Sequence, residues 1–303
     1  MSPRVTIVIP TYNRFEYLLE AVESCIAQTE AVNIIVVDHG SSDATITVQA
    51  YFGDRILYIR REFDSGPHFS WLDGCLLAET DLVKLLFDDD TLEPTFIEKT
   101  AGLFSPAVGF VFSSATITND AGDPIGELFK GILPGSGVFS RRKDRRAVRL
   151  PLVSPSAAIF RKEDLIDSLF IQKMPIQERT YHGVGPDHFV KLLALMRRRE
   201  FGFVNEKLVN FRSHPGSITV ASSNKNRSAE LRLAYLDVAN IAFVFQVIST
   251  LRIVAALRLI EPLRRSIRFS AKTLQRIRVQ LAKHGPVPLR LKNNSKIFTR
   301  HSK

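Results

Sequence analysis

The first ninety residues alternate between two hydrophobic periodicities, and that alternation restricts the fold more than any other feature of the chain. Residues 5–9 are a β-branched run closed by Pro10, after which residues 16–28 set Leu18, Leu19, Val22 and Ile26 at helical spacing. Residues 33–37 read as a second apolar strand ending at Asp38. Beyond the turn-rich His39-Gly40-Ser41-Ser42, Asp43 can cap a helix running through Val48 and Tyr51. Residues 56–59 read as a third strand, 71–78 as a helix, and 82–87 as a fourth strand that ends at Asp88-Asp89-Asp90. Short apolar strands separated by helices imply an α/β protein built on a mostly parallel, Rossmann-like sheet with right-handed crossovers. Ligands of such sheets bind beyond the C-terminal ends of the strands, which is where Asp38 and the acidic triplet fall.

Three consecutive carboxylates repel one another, so gathering them at a strand end gains nothing unless a cation is present. Carboxylate oxygens suit hard divalent ions such as Mg²⁺ or Mn²⁺, which in turn bind phosphates. The competing reading is a solvated acidic turn. The middle of the chain is less regular. Residues 108–112 and 114–118 read as strands, with a hairpin built around the turn at 119–123. Residues 131–146 form a glycine-rich and then strongly basic loop, 156–160 a short strand, 188–196 a helix opening at Asp187, and 203–211 an extended segment. From about residue 229 onward the chain reads as basic helix, with a proline-broken end past 285.

Composition bounds the compartment and the partners. With 45% hydrophobic and 24% charged residues, a 303-residue chain can bury a full core. Cys25 and Cys75 form no CxxC pair, which suits a reducing compartment. The N-terminus passes directly into a strand without an export-type apolar stretch, so a cytoplasmic location is expected. Net charge is +10 but unevenly placed: residues 227–303 carry 16 Lys/Arg against 3 Asp/Glu, leaving 25 against 28 before them. The basic character belongs to the tail. There, an uncharged stretch at 238–251 precedes nine Lys/Arg between 252 and 283, interleaved with Leu, Ile and Phe. That pattern allows a helix lying on the inner face of an anionic membrane as a peripheral contact. A helical pair packed on the core with its charges solvated is the alternative.

Ile9-Pro10-Thr11-Tyr12-Asn13-Arg14, Val36-Val37-Asp38-His39-Gly40-Ser41-Ser42-Asp43 and Leu86-Phe87-Asp88-Asp89-Asp90 resemble, in order and spacing, the three N-terminal signatures of family 2 glycosyltransferases. Gly185-Pro186-Asp187-His188 is similar to that family's acidic motif opening a late helix, and residues 203–218 resemble its closing strand with an Arg-x-His segment. The resemblance covers about 1–220. It implies a GT-A nucleotide-sugar transferase domain at 1–222, followed by a basic helical extension at 223–303, and an inverting, metal-dependent transfer to a glycan or lipid-linked glycan acceptor in cell-surface glycan synthesis. On that resemblance Pro10, Thr11, Tyr12, Asn13 and Arg14 wrap the nucleotide, and Asp38 accepts a hydrogen bond from its base. Asp88 and Asp89 approach the ribose and the metal. Asp90, Asp88 and His214 form the metal set, and Asp187 is the catalytic base. Each residue also has a plainer role open to it: Asp38 a turn cap, Tyr12 a core aromatic, His214 a surface residue, Asp187 a helix N-cap. The chain departs from the family pattern with Asp64-Ser65-Gly66 in place of Asn-x-Gly, and with Pro186 before Asp187 in place of Glu. The basic run at 141–146 could receive a phosphorylated acceptor or simply be a solvated loop.

Competing functions are weaker. A dinucleotide oxidoreductase needs a glycine-rich turn after its first strand, and no glycine occurs before Gly40. A sugar-nucleotide pyrophosphorylase shares substrate class and metal but also wants a glycine-rich phosphate loop. A non-catalytic basic protein that binds nucleic acid would rest on the tail alone, and the acidic remainder argues against a nucleic-acid partner.

Overall fold

A computed structural model describes residues 4–40, 43–61, 67–140, 153–169 and 186–217. The basic run at 141–146, Asp64-Ser65-Gly66 and the extension expected from 223 onward lie outside the described residues. The described elements belong to the compact unit Met1–Gln246.

The N-terminal strands are apolar along their whole length because both faces of the sheet are covered. In β1 (Val5–Thr11) all seven residues are buried. Ile7 and Ile9 meet one helical layer and Val8 the other. The first layer is α1 (Phe15–Ile26), α2 (Asp43–Phe52) and α4 (Phe96–Ala101). The second is α3 (Pro67–Leu77), α5 (Lys162–Leu169) and α6 (Pro186–Arg197). Helix α1 buries Leu18, Ala21, Val22 and Cys25, the i, i+3, i+4, i+7 stripe of a one-sided helix. Its expected extension to residue 28 is cut short because Gln28 turns its side chain onto the carbonyls of Ser24 and Glu93.

The remaining strands are β2 (Val32–Asp38), β3 (Leu57–Arg60), β4 (Leu82–Leu85), β5 (Thr91–Leu92), β6 (Val108–Thr118), β7 (Pro124–Leu128), β8 (Gly137–Ser140), β9 (Ala158–Arg161) and β10 (Glu200–Arg212). They form one sheet in the order β3-β2-β1-β4-β9-β6-β10-β5, with β7 beside β6 and β8 beside β10. The expected parallel pairing holds across β3-β2-β1-β4 and recurs between β6 and β10. Strands β9, β5, β7 and β8 join antiparallel. Chain order reverses between β1 and its neighbours β2 and β4, so the crevice past the C-terminal end of β1 is the switch point where such sheets take ligands.

Several elements differ from their sequence-based expectation. Residues 108–118 are one strand rather than two. Ser113 and Ser114 interrupt the apolar pattern, but both are fully buried and Ser113 donates to the Ser114 carbonyl at 2.9 Å. The hairpin expected around 119–123 is present and leads into β7. The fourth strand stops at Leu85 instead of Phe87, because the Phe87 N–H is taken by the Ser156 hydroxyl at 3.2 Å and the chain turns. A 3-10 turn at Pro155–Ala157 occupies the start of the strand expected from 156. In the second layer the aromatic side chains of the middle strands stack across the sheet, with Phe110 centroids 5.6 Å from Phe160 and 5.9 Å from Phe201.

Helix α3 approaches β1 so closely that a Cβ at Gly74 would lie 2.2 Å from a Val8 methyl. Gly74→Ala should therefore destabilise the protein by about 1–3 kcal/mol, even though alanine alone favours a helix by about 1 kcal/mol. Chemical denaturation measures this; an unchanged midpoint would mean that α3 can move off β1 without cost.

Candidate active site

The site is assembled where β1, β2 and β4 end. Thr11, the last residue of β1, is buried and donates its hydroxyl to Asp88 Oδ2 at 2.9 Å. The chain then turns through Asn13 at φ 55°, a left-handed conformation that asparagine tolerates better than most residues. This brings the Tyr12–Arg14 loop against the β2 loop so closely that a Cβ on Gly40 would lie 2.4 Å from Asn13 Oδ1. Glycine at 40 is thus a steric requirement of the contact. Pro10 stays inside the strand, paired with Val37, and supports the loop without entering it.

Arg14 is the hub of the acidic triplet. Its Nη1 donates to Asp88 Oδ1 at 3.1 Å and Asp89 Oδ2 at 2.9 Å, while Nη2 donates to the Gly216 carbonyl at 2.9 Å. His214 is buried beside it, with Nε2 at 3.0 Å from Asp89 Oδ2. Asp90 turns inward: it is buried, and its Oδ1 accepts the Arg212 N–H at 3.3 Å. Burial, then the Asp89 charge, pushes the Asp88 carboxyl up to about 6 despite Arg14 and Thr11. The same two causes push Asp90 well above the usual carboxylate range. Burial works against the Arg14 charge, but Asp88 and Asp89 outweigh it and hold the guanidinium firmly charged.

Among the described residues no three Asp, Glu, His or Cys side chains converge as a ready ligand group, and Arg14 bridges Asp88 and Asp89. The donor chemistry nonetheless suits a hard divalent cation, with carboxylate oxygens and one imidazole nitrogen together. Asp88 and Asp90 are destabilised as anions by burial and by the Asp89 charge, which an added positive charge would relieve.

The β2 side carries the second group of residues. Asp38 is fully buried; its Oδ1 accepts the Gly40 N–H at 2.8 Å and its Oδ2 accepts the Tyr58 hydroxyl at 2.6 Å. The turn-cap role is therefore occupied. Tyr12 is no core aromatic. It is 47% exposed, with its ring centroid 5.3 Å from that of His39, and His39 Nδ1 lies 2.9 Å from the Ser70 hydroxyl.

Asp187 stands half-buried in the first turn of α6, where an acidic residue also suits the helix dipole. One turn later Lys191 is buried, and burial pushes its ammonium down to about 8 while Asp187 opposes that shift. Helix α6 packs on β6 and on the Pro155–Ala157 turn, linking Asp187's helix to the turn that carries Ser156. Tyr58 and Ser156 carry no motif signal in the sequence, whereas Arg212 belongs to the Arg-x-His segment but had no role assigned to it. Lys84, which donates to the Ser156 carbonyl, had a signal in being the lone charge within an apolar strand.

A profile of Glycosyl transferase family 2 matches residues 6–169, more than half of the chain. An uncharacterized glycosyltransferase of Rickettsia prowazekii is 40% identical over 85 residues, 23% of this chain and 27% of that protein. A glucosyl-dolichyl phosphate glucuronosyltransferase of Haloferax volcanii is 32% identical over 123 residues, 39% of this chain and 39% of that one. The matched region thus spans about a quarter to two-fifths of these relatives' length. Among solved structures, S. aureus TarS 1–349 in complex with UDP-GlcNAc aligns with a TM-score of 0.58 at 16% identity, covering 77% of this chain and 66% of that one. At that identity the likeness speaks for the fold, which is the GT-A architecture the signatures imply. With its N-terminal strands, its acidic corner and more than half of its length matched by the family profile, the chain belongs to glycosyl transferase family 2.

Proposed function

We propose that the protein transfers a sugar from a nucleoside-diphosphate donor to an acceptor hydroxyl, with inversion and with the help of a divalent cation. The observation that carries the reading is the meeting of Arg14 with Asp88 and Asp89, and of His214 with Asp89, at the switch point of a family 2 chain. The complex of TarS with UDP-GlcNAc supports the donor class. The name of the Haloferax relative supports a lipid-linked acceptor.

In this reading the exposed Tyr12 ring offers a face to the base, and Asp38, oriented by Tyr58 and Gly40, accepts the base's ring N–H. Asp90, Asp88 and His214 would hold Mn²⁺ or Mg²⁺, which supplies charge neutralisation of the departing diphosphate. Arg14 would then share its two carboxylates with that cation and turn toward the diphosphate. Asp187 removes the acceptor's hydroxyl proton as that oxygen bonds to the anomeric carbon. The bond from that carbon to the diphosphate oxygen breaks on the opposite face, its electron pair leaving with the nucleoside diphosphate.

Thermal stability measured against UDP, GDP and other nucleoside diphosphates, with and without Mn²⁺, tests the reading directly, since a bound ligand raises the melting temperature by mass action. One nucleotide should stabilise the parent chain in a Mn²⁺-dependent way, and Asp90→Asn should lose that dependence while keeping the unliganded melting temperature. Equal Mn²⁺ dependence in parent and variant would remove Asp90 from the metal set. Asp187→Asn should bind donor as the parent does yet lose transfer by roughly 10²-fold or more. Reduced stability with unchanged turnover would assign Asp187 to helix capping instead.

The extension at 223–303 is read from sequence as a basic helical segment lying on an anionic membrane, where it would share a surface with a lipid-linked acceptor. No helix among the described residues is long and apolar enough to cross a membrane. The full chain should cosediment with anionic liposomes at low salt and release at high salt, and a chain ending near Ser228 should not. Equal sedimentation of both, or binding indifferent to lipid charge, would reject the membrane role.

A further inference from the structure

Lys84 is the least expected residue in the sheet. It sits in β4, paired with Ile7 of β1 and Ile159 of β9, and is fully buried among apolar neighbours. A core ammonium is costly, and apolar residues of similar size commonly replace buried charges without loss of stability. Its retention therefore needs a reason beyond packing. The ammonium lies 4.7 Å from the Phe96 ring centroid and donates to the carbonyls of Pro155, at 3.5 Å, and Ser156. Burial pushes it down to about 7, opposed first by the Asp90 charge. Both carbonyls belong to the 3-10 turn at Pro155–Ala157.

Ser156 uses each of its polar groups. Its N–H donates to Ser154 Oγ at 3.2 Å and its carbonyl accepts from Lys84. Its hydroxyl accepts the Phe87 N–H at 3.2 Å. One buried hydroxyl thus holds the start of the corner where β4 ends and the acidic triplet begins. The corner is closed from within by the Asp90 N–H on the Phe87 carbonyl at 3.1 Å. Arg212 N–H meets Asp90 Oδ1 from the far side. The corner that carries Asp90 is held by two segments distant in sequence, the Pro155–Ala157 turn through Phe87 and the end of β10 through the Arg212 N–H.

We propose that Lys84 and Ser156 are positioning residues for the acidic corner: Lys84 pins the Pro155–Ala157 turn by its carbonyls, and the Ser156 hydroxyl, by holding the Phe87 N–H, fixes the turn that closes on the Asp90 N–H and so sets where Asp90 meets the cation. The inference rests on the reading of Asp90 as a cation ligand. Groups that orient metal ligands from behind typically change metal affinity by 10–100-fold when removed.

The test is calorimetric titration of Mn²⁺ into the full chain with UDP held constant, and GDP in parallel, on the parent, Ser156→Ala, Lys84→Met and the double variant. Metal-free nucleotide affinity and melting temperature are measured alongside. Ser156→Ala should raise the Mn²⁺ half-saturation about 10-fold with metal-free nucleotide affinity unchanged. Lys84→Met should do the same, and the double variant should lose little more than either single one, because both act through one network. Ser156→Ala carries the test even where Lys84→Met fails to fold. Singles that lower the melting temperature but keep the parental Mn²⁺ half-saturation would overturn the inference and leave a purely structural network. Nucleotide binding indifferent to Mn²⁺ in the parent itself would overturn the cation reading, and with it this inference.

Discussion

Three carboxyl groups in a row, two of them buried, repel one another and lose hydration together. Every other part of the site answers that electrostatic load. Arg14 supplies positive charge to Asp88 and Asp89, Thr11 a hydroxyl to Asp88, His214 a ring nitrogen to Asp89, and the Arg212 N–H a bond to Asp90. The compensation is incomplete, since burial still raises Asp88 and Asp90 above the ordinary carboxylate range. A corner that remains short of positive charge after its own residues are counted is suited to recruit a cation and, with it, a diphosphate.

The sheet makes that load sustainable. Strands β1, β2 and β4 are packed between two helical layers, so their ends cannot shift without disturbing both cores. The long strand β10 carries the distant half of the site. Its register against β6 slips between Val204 and Lys207 and again before Val209. Beyond those irregularities the strand ends at Arg212, close enough for its N–H to reach Asp90 and for His214 and Gly216 to reach Asp89 and Arg14. The guanidinium of Arg212 is held against Glu20 and the Asp120 carbonyl and lies 5.1 Å from the Tyr17 ring centroid, which ties this return segment to α1.

The second layer follows different rules. Asp164 is fully buried in α5 and meets the guanidinium of Arg197 in α6 at 3.2 Å, with Arg198 at 3.6 Å. Burial raises the Asp164 carboxyl, while Arg197 opposes the shift. Breaking such a pair from one side leaves a buried charge without its counterion. The α5–α6 contact is thereby specific as well as apolar, and it seats the helix that opens at Asp187.

The alternation of apolar strands with α1, α2 and α3 is legible in the sequence because each element's burial is written in its own local period. The acidic corner and the Tyr12–Arg14 loop are legible for a similar reason, as short contiguous motifs at strand ends. Helix α5 is not: it is eight residues long and hides an aspartate, which no apolar pattern announces. Strand β5 is two residues long and exists through its pairing with Val209 and Asn210. The chain by itself therefore determined the α/β class, the strand ends and the candidate chemistry. Only the tertiary structure decided which charges meet, bringing Arg14 to Gly216, Lys84 to Ser156 and Arg212 to Asp90. Periodicity is a local property, whereas those encounters depend on strand order and on the register of β10, which long-range packing alone sets.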